Sequence, residues 1–95
     1  MLHLQKDDPA MAALLEKERS RIESTLDLIA AENHAPRSIL ETLGSVLYTN
    51  TIDGYPGRRF HAGCVHADEV ERLAFFRCRS LFKAEHVNVQ PLSGT

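Results

Sequence analysis

The chain has 95 residues, a formal charge of −2, 43% hydrophobic and 25% charged residues, and no tryptophan. That suits one small domain of modest burial, and the near-balanced charge argues against a general nucleic-acid or membrane-surface binder. No apolar run reaches the roughly 18 residues of a spanning helix.

The first six residues, Met1 to Lys6, lack the apolar core of a signal peptide, so a cytoplasmic protein is expected. Asp8-Pro9 reads as a helix start, with the acid as N-cap and proline at the first helical position. Met11, Leu14, Leu15, Ile22, Leu26 and Ile29 then recur at helical spacing, with charged residues between them. The pattern predicts an amphipathic helix over 9–26, its stripe packed on another layer or on another subunit.

Residues 28–34 read as an extended or turn segment, because Pro36 disfavours helical geometry just before it. A second helix fits 36–47, with Ile39, Leu40, Leu43 and Leu47 on one side. Gly44 weakens its interior and would admit a neighbouring backbone. Residues 48–63 read as loop. Asp68 as N-cap with Glu71 three places on suggests a capping-box variant opening a helix over 67–82. Val70, Leu73, Ala74, Arg77, Cys78 and Leu81 define one face of it. Residues 86–89 read as a short strand running into Ser93-Gly94-Thr95.

Helix, helix, loop, helix, strand and a glycine turn begin an α/β domain without finishing it. A lone strand must pair with something absent from this sequence or supplied by a partner, which points to a truncated or split protein. No internal repeat, low-complexity segment or second-domain boundary is visible. Cys64 and Cys78 lack C-x-x-C spacing and read as free thiols, a single bridge being the alternative. His34, His66 and His86 are scattered without ligand spacing, so no metal is assigned.

The densest chemistry lies between Asp53 and Cys64: Asp-Gly-Tyr-Pro-Gly-Arg-Arg-Phe-His-Ala-Gly-Cys. Tyr55-Pro56-Gly57 reads as a turn, proline fixing φ and glycine accepting a positive one. The loop can gather Asp53, Arg58, Arg59 and His61 in one small volume, a charge mix suited to an amino-acid carboxylate or a phosphate. Asp53 by itself reads as a turn cap before Gly54. Arg58 reads as a solvated charge; Arg59 ties the loop in place or grips a carboxylate. Ser93-Gly94-Thr95 reads as a plain turn or, ahead of a helix, as an anion site.

This loop resembles the acid-Gly-Tyr-Pro-Gly-basic-Arg-aromatic-aromatic-Gly-Gly-Cys pattern of serine hydroxymethyltransferases. Leu28-Ile29-Ala30-Ala31-Glu32-Asn33 is similar to the family's Leu-Ile-Ala-Ser-Glu-Asn, and 88–95 to its Asn-Val-Gln-Pro-x-Ser-Gly-Ser/Thr. The blocks span the chain from about residue 13 to its end. The resemblance implies α/β architecture: the N-terminal helical arm and start of the large domain of an aspartate-aminotransferase-like, fold type I enzyme. Residues 1–35 would be a dimer-embracing arm, 36–63 a helix and active-site loop, and 64–95 a helix, strand and the start of a phosphate cup.

The implied cofactor is pyridoxal 5'-phosphate, with Ser93, Gly94 and Thr95 at its phosphate and Thr51 in place of a family tyrosine that contacts that phosphate. Tetrahydrofolate is the implied one-carbon acceptor. Asp53 stands for a glutamate near the substrate hydroxyl, shorter by roughly 1.5 Å. His61 stands for a tyrosine near substrate and cofactor, and it can titrate near neutral pH. Both are the candidate catalytic groups. Ala31 replaces a serine near the substrate carboxylate, and Phe60 replaces a second tyrosine. With Arg59 they form the candidate substrate-binding set. Glu32 and Asn33 keep the pattern and read as structural hydrogen bonding near the site.

Lys6, Lys17 and Lys83 match no cofactor-carrying lysine, so the chain alone is expected to be inactive. It would act with the C-terminal remainder of the enzyme or a partner subunit, as a homodimer or tetramer, on a small-molecule amino acid. The departures suggest altered specificity, as in an α-methylserine hydroxymethyltransferase, threonine aldolase or transaldolase. A non-catalytic interaction fragment is the competing expectation.

Overall fold

The computed structural model describes residues 2–94. The chain divides into two compact units, Met1–Ala35 and Pro36–Thr95. In the first, helix α1 runs Leu2–Asp7 and helix α2 runs Pro9–Ser24. The Asp8-Pro9 step separates them: Asp8 leaves helical geometry at φ −145°, and its Oδ1 accepts the Met11 N–H at 2.9 Å. That is the N-cap the sequence predicts. α1 itself was not expected, and α2 stops two residues short of 26, where Thr25 is extended. Beyond α2, a turn at Ala30-Ala31 is closed by Glu32 N–H donating to Ile29 O at 3.0 Å.

In the second unit, α3 is shorter than expected, Arg37–Leu43. Gly44 ends it, donating its N–H to Leu40 O at 3.1 Å. A Cβ there would meet only that same carbonyl, at 3.5 Å, so among the described residues no other backbone approaches Gly44. A short 3₁₀ turn follows over Val46–Thr49, with the Ser45 hydroxyl accepting from Leu47 N–H.

The expected loop contains a small antiparallel hairpin. β1 (Gly54–Tyr55) pairs with β2 (Arg58–Arg59), Gly54 opposite Arg59 and Tyr55 opposite Arg58. Pro56-Gly57 forms its turn, and Gly57 takes the positive φ (78°) that this turn demands. Phe60 N–H donates to Asp53 O at 3.1 Å and closes the hairpin base.

α4 runs Val65–Phe82, earlier than expected, with Cys64 at the N-cap and no side-chain cap bond. The capping box does not form. Asp68 lies inside the first turn and its carboxylate faces an arginine, a stronger partner than a backbone amide. Lys83 ends α4 in the left-handed region at φ 51°. Residues 86–90 form no strand, because no second strand lies beside them among the described residues.

Little of this surface is covered. Among the described residues the buried ones are Ala12, Cys64, Ala67 and Asp68. The predicted stripes are present but face outward: Leu14 is 58% exposed, Leu73 48% and Leu81 76%. No helix of the described residues is long and apolar enough to cross a membrane.

Candidate functional site

The hairpin is held from inside by Arg59. Its side chain is 3% exposed. Nε donates to Asp68 Oδ1 at 2.7 Å and Nη2 to Glu71 Oε2 at 2.6 Å. Nη1 donates to the carbonyls of Ile52 and Gly54, each at 2.8 Å. Four of the five guanidinium donors are thereby engaged. A buried cation survives only when paired in this way. These contacts make Arg59 the tie between the hairpin and α4.

Asp68 completes the tie with its other oxygen, which accepts the Gly57 N–H at 2.8 Å at the hairpin tip. The Arg59 hydrogen bond, then the Gly57 amide, hold the Asp68 carboxyl below the usual aspartate range. Glu71 first and Asp68 second push the Arg59 pKa further up. One turn of α4 therefore fixes both the tip and the second strand of the hairpin. The acid pair at i and i+3, nine residues beyond a double arginine, is the sequence signal of this brace.

With its base so fixed, the hairpin carries Asp53 and His61 outward. They flank the two strands, and His61 Nε2 lies 3.7 Å from Asp53 Oδ2. Both side chains are open to solvent, at 51% and 75% exposure. Phe60, beside them, is also exposed. Cys64 is buried beneath, its thiol 3.3 Å from His61 O and 3.6 Å from Thr51 O. This places the Thr51 backbone beside the α4 start and leaves the residue itself on the surface.

The third sequence block returns to the same place. Gln90 Nε2 donates to Gly54 O at 3.0 Å and to Glu71 Oε1 at 2.7 Å. An open hollow of about 520 Å³ results, lined in part by Ile52, Asp53, Arg59, Glu71, Val89 and Gln90. Ser93 and Gly94 lie just beyond and are exposed, and a Cβ at Gly94 would meet nothing within 4 Å. Thr95 lies outside the described residues. Ala31 sits in the other unit, exposed in its own turn. Among the described residues no group of three His, Cys, Asp or Glu is placed to hold a metal. Cys64 and Cys78 are free thiols.

The family model described as serine hydroxymethyltransferase matches residues 4–95. The chain belongs to the serine hydroxymethyltransferase family. It is similar to the serine hydroxymethyltransferase of Halorubrum lacusprofundi, 53% identical over 93 residues, covering 98% of this chain and 22% of that protein. It is also similar to that of Kineococcus radiotolerans, 53% identical over 91 residues, 96% and 21%. Serine hydroxymethyltransferase 1 of Pseudomonas fluorescens is 49% identical over 94 residues, 99% and 23%. The chain thus spans about a fifth of the length of these curated relatives. Its largely helical make-up with one small sheet suits an N-terminal segment of this family.

Proposed function

We propose that this chain is the N-terminal portion of a pyridoxal-phosphate-dependent, fold type I hydroxymethyltransferase that works in the cytoplasm. The whole enzyme would move a one-carbon unit between a β-hydroxy amino acid and tetrahydrofolate, or cleave such an amino acid by retro-aldol chemistry. Residues 1–35 would embrace a second subunit, 36–63 supply the active-site loop, and 64–95 lead into the cofactor's phosphate cup. The observation that carries this reading is the braced hairpin. A polar loop is fully organised, down to its interior arginine, in a chain that buries almost no apolar core. Such a loop is built to complete a site whose other walls lie elsewhere.

Ser93, Gly94 and Thr95, with Thr51, would hold the cofactor phosphate. The glycine leaves room for close backbone approach, and the hydroxyls fit an anion. The cofactor, when bound, supplies an electron sink for bonds breaking at the amino-acid α-carbon. This chain's own residues handle the proton. Asp53 would take the proton of the substrate hydroxyl, and His61, with Nε2 3.7 Å from Asp53 Oδ2, would relay that proton to solvent through a bridging water. Ala31 and Phe60 shape the substrate end. Relative to the loop pattern of the family, Asp53 reaches less far and His61 puts an imidazole where the family has a phenol, which favours a β-hydroxy amino acid other than serine, such as α-methylserine or threonine.

The test is to co-express the chain with the C-terminal four-fifths, about 80%, of the Kineococcus radiotolerans relative. A yellow complex that turns over serine, α-methylserine or threonine supports the proposal. Asp53→Ala is expected to lower turnover while the complex stays yellow; unchanged turnover removes Asp53 from the mechanism. The outward-facing stripes of α2 and α4 favour one competing reading, a non-catalytic interaction fragment. A colourless but stable complex would establish that reading instead.

A further inference from the structure

Gln90 closes a ring of hydrogen bonds that neither the loop pattern nor the candidate site accounts for. Its Nε2 donates to Gly54 O and to Glu71 Oε1. The other oxygen of Glu71 accepts from Arg59 Nη2, and Arg59 Nη1 returns to the same Gly54 carbonyl. Only the amide nitrogen fits this place, since an amide oxygen would face a carbonyl and a carboxylate, both acceptors. The ring joins residues 36 apart in sequence, and it grips the peptide between Asp53 and Tyr55.

We propose that Gln90, acting with Glu71, is a positioning residue that sets where Asp53 and His61 stand. This rests on the catalytic reading above. The Gly54 carbonyl accepts one bond from Arg59 and one from Gln90, and the two together fix its direction. Asp53 is the preceding residue, and its own carbonyl takes the Phe60 N–H next to His61. Freeing the Gly54 carbonyl therefore frees both ends of the hairpin base together. Gln90 also lies three residues before Ser93, so one side chain links the segment entering the anion site to the loop carrying the proton-handling pair.

The requirement is for two donated bonds, not for bulk. Gln90 is exposed, so a longer side chain can be accommodated. Gln90→Met keeps length and shape without a donor. Gln90→Lys brings an ammonium with three donors, which suit a carboxylate and a carbonyl.

The experiment uses the co-expressed complex and reads two quantities. The first is hydrogen exchange at the Phe60 amide, which needs no activity. The second is kcat and KM for the amino acid. Gln90→Met is expected to speed Phe60 exchange about tenfold, the loss of roughly one hydrogen bond's worth of protection. It should lower kcat about tenfold or more with KM changed less than about twofold, as misplacement of reacting groups does. Gln90→Lys should restore both. A space-filling role predicts the reverse order, Met tolerated and Lys harmful, and that order overturns the proposal. Unchanged Phe60 exchange in Gln90→Met overturns it regardless of activity. Faster exchange with unchanged kcat confines Gln90 to holding the fold and also overturns it. If the unsubstituted complex is colourless and inactive, the catalytic reading fails and takes the positioning role with it, while the exchange data still show whether the clamp exists.

Discussion

Gly54→Ala and Gly57→Ala make a matched pair that tests how the hairpin is built. Both glycines have positive φ, +103° and +78°. At Gly57 an added Cβ would have its nearest neighbour at 3.7 Å, an Arg72 guanidinium nitrogen, so the methyl group fits. The cost there is the left-handed backbone alone, about 1–2 kcal/mol. At Gly54 the Cβ would lie 2.3 Å from the Arg58 carbonyl oxygen, and reaching even 3.0 Å requires the two strands to part by about 0.7 Å. A separation of that size breaks the 3.1 Å bond from Phe60 N–H to Asp53 O. Strain of about 1–3 kcal/mol and a lost hydrogen bond of about 0.5–1.5 kcal/mol put Gly54→Ala at roughly 1.5–4.5 kcal/mol. Arg59 must also loosen its hold on Gly54 O. Hydrogen exchange of the Phe60 amide in the co-expressed complex reads the difference. Gly54→Ala should abolish its protection, and Gly57→Ala should lower it about tenfold, the factor that roughly 1.4 kcal/mol represents. Equal damage from the two substitutions, or a Phe60 amide still protected in Gly54→Ala, would refute the steric argument.

Three other expectations follow from the same geometry. Arg59→Lys keeps the charge but cannot span Asp68, Glu71 and two carbonyls at once; the denaturation midpoint of the complex should fall, and an unchanged midpoint would show the fork to be dispensable. Asp68 has its pKa lowered by Arg59 and by the Gly57 amide. Its contribution to stability is therefore complete above the unfolded value of about 3.9 and is lost as the pH falls through the lower folded value. Acid unfolding followed by circular dichroism should show this loss, and Asp68→Asn should remove it; an identical acid limb in the variant would count against the pairing. Cys64 is buried and Cys78 half-buried, so a thiol reagent should modify Cys78 first, with Cys64 reacting only as the complex unfolds. Mass spectrometry after partial labelling settles the order.

Punctuation residues made part of this fold legible. Asp8-Pro9 and Pro56-Gly57 act through their own φ preferences and side-chain bonds, which need no distant partner. Asp68 and Glu71 do not cap α4 as their spacing suggests, because an acid followed three places later by a glutamate fits two structures equally well. The choice between them depends on Arg59, nine and twelve residues away. Val87-Asn88-Val89 has strand composition, but a strand exists only when another lies beside it. α1 escaped notice because six residues hold too few helical repeats to register a period. The family emerged from the three ordered blocks. The brace between two of them did not, because Gln90 and Gly54 meet only through the fold.

Two kinds of interaction divide the chain. Around the hairpin, charge-assisted bonds of 2.6–2.8 Å meet at the nearly buried Arg59 guanidinium, with little apolar core among the described residues. Along α2 and α4 the apolar stripes lie open, with Leu14, Leu73 and Phe76 each about half exposed or more. Polar bonds of this kind fix direction well but contribute little net stability, whereas apolar area stabilises strongly and directs weakly. A segment with its polar geometry complete and its apolar faces uncovered is therefore specified before it is stabilised. The cover for those faces sets how firmly the chain is held, and the Arg59–Asp68–Glu71–Gln90 brace sets where Asp53 and His61 stand once it is.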